Sequence, residues 1–73
     1  MGIIRTYSDT VRTVSTGWTL NDFIDVQAFS FESGKWHTVN RFSQASDRAS
    51  TEAGAFARRH ADNLAMARAV STY

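Results

Sequence analysis

The chain has no cysteine and no proline, and only four of its 73 residues are glycine. Without cysteine there can be no disulfide and no thiolate metal site, a composition that suits a reducing cytoplasm. The absence of proline removes the commonest linker and strand-breaker signal, and no repeat or low-complexity tail divides residues 1–73, so one domain is expected. Long apolar runs are missing too. Met1-Gly2-Ile3-Ile4-Arg5 has no signal-peptide core, and no membrane span is expected. Charge of one sign is also scarce, at a formal net +1. That balance argues against a nucleic-acid mimic, which needs a dense acidic surface. It also argues against a strong non-specific nucleic-acid binder, which needs a large basic excess.

Catalytic signatures are absent as well. There is no Gly-x-Ser-x-Gly elbow, no glycine-rich phosphate loop and no His-Glu-x-x-His. His37 and His60 have no third ligand at zinc spacing. The sequence therefore points to no catalytic residue, no metal and no cofactor.

What is present is organised around residues 23–42, two β-type segments joined by Glu32-Ser33-Gly34-Lys35. A two-residue Ser33-Gly34 loop predicts Phe31 opposite Trp36, Phe29 opposite Thr38, Gln27 opposite Asn40 and Asp25 opposite Phe42 on one face. The other face then carries Ser30 opposite His37, Ala28 opposite Val39, Val26 opposite Arg41, and Ile24. Because the first segment is apolar on both faces, either a bulge shifts the phase near Ala28 or both faces are covered.

Upstream, residues 3–16 are rich in Thr, Val, Ile and Tyr and read as strand, broken at Ser8-Asp9; a short helix over Tyr7, Val11 and Val14 is the alternative. Gly17-Trp18 marks a turn. Ser43-Gln44-Ala45-Ser46-Asp47 offers several helix N-caps, and from about Asp47 to Val70 alanine dominates. At 100° per residue, Ala49, Ala53, Phe56, Ala57, His60, Leu64 and Ala67 form one stripe, with Met66 elsewhere. Glu52 near the start and Arg68 near the end suit the helix dipole. Gly54 costs about 1 kcal/mol against alanine unless it lets a strand come close. The expected fold is α+β, a two- to three-stranded antiparallel meander with one C-terminal helix on one face.

One helix leaves one sheet face open, and either apolar set would make a partner site. The candidate partner-binding residues are Phe29, Phe31 and Trp36 with a basic rim of Lys35 and Arg41, since aromatics and arginine dominate protein hot spots. The same residues, with Arg5 and Arg12, would serve a sheet that stacks nucleic-acid bases and holds phosphates. A homodimer would instead bury the patch against itself.

Residues 34–42 (Gly-Lys-Trp-His-Thr-Val-Asn-Arg-Phe) followed by residues 50–57 (Ser-Thr-Glu-Ala-Gly-Ala-Phe-Ala) resemble the hairpin and helix of the AP2-like arm-binding domains of phage integrases, which read the DNA major groove with a three-stranded sheet. In format, a short Cys-free α+β domain, the whole chain resembles the small proteins that phages and mobile elements encode against host defences, including anti-CRISPR proteins. That resemblance implies a non-enzymatic inhibitor in the host cytoplasm that occupies a surface of a CRISPR effector complex, a host protein or ribonucleoprotein.

Overall fold

A computed structural model describes residues 3–17 and 19–71, with side chains to residue 67. Four strands, β1 (Ile3–Ser8), β2 (Val11–Ser15), β3 (Phe23–Ser30) and β4 (Lys35–Ser43), precede one helix, α1 (Ala49–Ser71). The strands form one antiparallel sheet in chain order, β1-β2-β3-β4. The expected meander is present with one strand more than the two or three anticipated. The break at Ser8-Asp9 supplies the extra one, as a turn between two short strands. That turn is tied to the sheet where the Phe29 amide donates to the Thr10 carbonyl at 2.8 Å.

The central hairpin differs from the two-residue expectation. Ser30 pairs with Lys35, so the loop has four residues, closed by the Gly34 amide on the Ser30 carbonyl at 2.8 Å. Gly34 ends it at φ 67°, the left-handed region glycine enters without steric penalty. Phe31 therefore lies in the loop, and Trp36 pairs with Phe29. His37 pairs with Ala28 rather than Ser30, and Val26 with Asn40 rather than Arg41. The register also slips between Val26 and Gln27, where Val39 is the extra residue on β4. Trp36 and Phe42 are six apart and would share a face of a regular strand; the bulge sends them to opposite faces. Phe42 now pairs with Ile24 toward the helix, and Arg41 with Asp25 away from it.

The helix lies on the face of Val11, Thr13, Ile24 and Val26. The buried apolar residues are Val11, Val26, Ala49, Ala53 and Ala57, with Tyr7, Ile24, Phe42, Phe56 and Leu64 packed around them. Alanine at every fourth position puts a smooth ridge on the sheet. Gly54 continues it, for a Cβ there would stand 3.1 Å from the Tyr7 hydroxyl. The predicted stripe holds through Leu64, but Ala67 is exposed, as is Met66. His60 is half-buried and stacked on Phe56, ring centroids 6.0 Å apart. The helix starts after a turn in which the Ser46 hydroxyl accepts from the Arg48 amide at 3.3 Å. Trp18, Tyr73 and the Arg68 side chain lie outside the described residues.

Candidate functional site: the helix-free sheet face

Alternation along each strand decides which side chains the helix leaves uncovered. From the hairpin end these include Phe29 and Trp36, then Arg12 with Gln27, then Asp25 with Arg41, and finally Phe23, with Val14 and Ile4 beside Asp25 on β2 and β1. The helix thus covers Ile24 and Val26 while Val39, at the bulge, stays exposed, and the aromatic set faces outward.

The aromatic side chains hold one another. Phe29 stands edge-on to Trp36 at 5.4 Å between centroids and to Phe31 at 5.3 Å. Such pairs contribute roughly 0.5–1.5 kcal/mol beyond area burial. Phe31 is 71% exposed at the tip. The Arg12 guanidinium lies over the Trp36 ring, 4.1 Å from its centroid, and its Nε donates to Gln27 Oε1 at 2.8 Å. Among the described residues Arg12 makes no ion pair, so its charge stays available.

At the other end Arg41 is committed. It forms a fork on Asp25, Nε to Oδ1 at 2.6 Å and a terminal nitrogen to Oδ2 at 3.1 Å. Asp25 is only 8% exposed, and it holds the Arg41 guanidinium above its ordinary range, through the hydrogen bond first and its charge second. The Arg41 Cζ also lies 5.2 Å from the Phe23 ring. A cation so neutralised presents a flat, partly apolar plate rather than a free charge.

Of the five residues singled out from sequence, Phe29, Phe31, Trp36 and Arg41 share this side of the molecule. Lys35, paired with Ser30, falls on the other face by alternation and does not join them. Arg12 takes the place Lys35 was expected to fill. Its link to Trp36 crosses three strands, and only the β2–β3–β4 register could have revealed it.

Catalytic geometry is thin. His37 Nε2 lies 2.8 Å from the Ser33 hydroxyl in the exposed hairpin, and among the described residues no carboxylate is in hydrogen-bond contact to orient the imidazole. Among the described residues no group of three His, Asp or Glu could hold a metal, and no helix is long and apolar enough to cross a membrane. Compared with protein-family models, curated proteins and solved structures, the chain matches none.

Proposed function

We propose that the protein is a non-enzymatic protein-binding module that occupies a partner's surface with its helix-free sheet face. One observation carries this reading: Phe29, Phe31 and Trp36 form a mutually braced cluster on the side the helix does not cover, bordered by Arg12, with Arg41 farther along the same face on Asp25. Aromatic anchors and arginine concentrate binding energy. Rings already held by neighbours lose little freedom on docking, which favours affinity for the area buried. The likeness in format to phage-encoded inhibitors makes a bacterial CRISPR effector complex the partner class assigned first. Inhibition would then be stoichiometric, by occupation.

The test adds the protein to purified CRISPR effector complexes and follows target cleavage. Inhibition should saturate near one protein per complex, be lost in Phe31→Ser, and survive Lys35→Ala on the opposite face. Indifference of every complex would remove this partner class, and inhibition surviving Phe31→Ser would remove this surface.

The uncommitted charge of Arg12 favours a second reading, a sheet that stacks single-stranded nucleic acid. Salt separates the two, since contacts to phosphates weaken steeply as salt rises and an apolar protein contact does not. For self-association the probe is Trp36 emission in a Trp18→Phe variant. The binding-module reading expects a quencher-accessible signal that does not change on concentration, whereas a homodimer expects protection that grows with it.

A further inference from the structure

On the helix-covered side, a cavity of about 260 Å³ opens between β1, β2 and the first turns of α1. Ile3, Ile24 and Ala53 give it an apolar floor, while Arg5, Thr13 and Asp47 bring polar groups to it from β1, β2 and the loop before α1. Thr13 is 5% exposed, and its hydroxyl makes no hydrogen bond to the protein. No described side-chain oxygen or nitrogen is both buried and unpartnered, so the Thr13 hydroxyl is reached from the cavity side, where it can donate to or accept from a ligand atom. Arg5 and Asp47 line the same space, yet neither forms an ion pair with the other or with any described residue. An anion alone would meet Asp47 repulsively and a cation alone would meet Arg5 so. Two opposite, uncommitted charges select a ligand that carries both. The volume lies at the small end of ligand pockets, suited to a metabolite of few atoms.

We propose that this cavity binds a small zwitterion of the α-amino-acid class. Its carboxylate lies on Arg5 and the Thr13 hydroxyl, its ammonium on Asp47, and its side chain on the Ile3–Ile24 floor. The site shares no residue with the aromatic face, so either can fail without the other. Both charged residues are exposed, and each ion pair is worth little more than an exposed salt bridge, which sets the expected affinity in the millimolar range.

The experiment titrates isotope-labelled protein with each standard L-amino acid to about 10 mM, where a Kd in that range is readable, following the amide resonances of Thr13 and Ser50. At least one amino acid should shift them saturably. Its matching acid without the amine, and amine without the acid, should each bind about two- to fivefold more weakly, the worth of one exposed ion pair. Arg5→Gln should bring the amino acid down to the level of the amine, and Asp47→Asn to the level of the acid, with the rest of the spectrum showing each variant folded. No saturable shift with any amino acid overturns the proposal. So does an acid that binds as tightly as its amino acid, which would make this a plain anion site, and so does unchanged binding in both variants.

Discussion

Gly54 and Asp22 are two residues whose neighbours decide what a substitution does. Alanine at position 54 would gain about 1 kcal/mol of helix propensity, set against a Cβ that stands 3.1 Å from the Tyr7 hydroxyl. The Tyr7 ring end borders the cavity beside α1 and has room to move by the few tenths of an ångström required. Gly54→Ala should therefore stabilise by about 0.5 kcal/mol, read as a raised urea midpoint with unchanged slope. Asp22 accepts from the Thr19 hydroxyl at 2.8 Å and the Thr19 amide at 2.9 Å, and these bonds, the hydroxyl first, hold its carboxyl below the ordinary 3.8. A carboxyl depressed in the folded state stabilises above its unfolded pKa and loses that contribution as pH falls through the folded one. Asp22→Asn should lower the urea midpoint at neutral pH, and its difference from the parent should shrink below about pH 4. A difference constant down to pH 2 would show that the charge is not what matters there.

At the scale of elements, the alanine ridge of α1 fixes the distance between helix and sheet. Ala57 is fully buried, and Ala57→Leu should cost about 1–3 kcal/mol by lifting the helix off Val11 and Val26. The bulge at Val39 makes a sharper prediction. A bulge-free β4 built on the two-residue loop would put Phe31 and Phe42 on one face, but the bulged strand packs Phe42 on Phe56 at 6.0 Å and leaves Phe31 outside. Phe42→Ser should cost about 2 kcal/mol or more, and Phe31→Ser less, about 0.5–1.5 for its edge contact with Phe29, in urea denaturation. Helix, strands and the break at Ser8-Asp9 were legible in the sequence, because alanine content and β-branched runs act locally. The register was not. One extra residue in β4 inverts every side chain beyond it, and the apolar residues on both faces of β3 signalled that ambiguity without resolving it. The same limit kept Arg12 out of the predicted protein-binding set and left it only as a phosphate contact, since its partner Trp36 is remote in sequence.

For the molecule as a whole, the buried apolar core contains, among the described residues, only two side chains larger than alanine, Val11 and Val26, with larger residues half-buried around them. A domain of this size and core should be stable by only about 3–5 kcal/mol, so urea unfolding should give a low midpoint and a slope near 1 kcal/mol/M. A ligand in the cavity or a partner on the sheet would raise that midpoint by mass action, and the two increments should add, because the sites share no residue. The strand order has a kinetic consequence. Each strand pairs only with its neighbours in sequence, and the helix folds back onto strands that have just been completed. Few long loops must close before contacts reward them, so refolding should finish in milliseconds by stopped flow, faster than sheets that bring distant segments together. A chain that opens readily, as so small a core implies, would then also close again before its apolar strands can meet those of another copy.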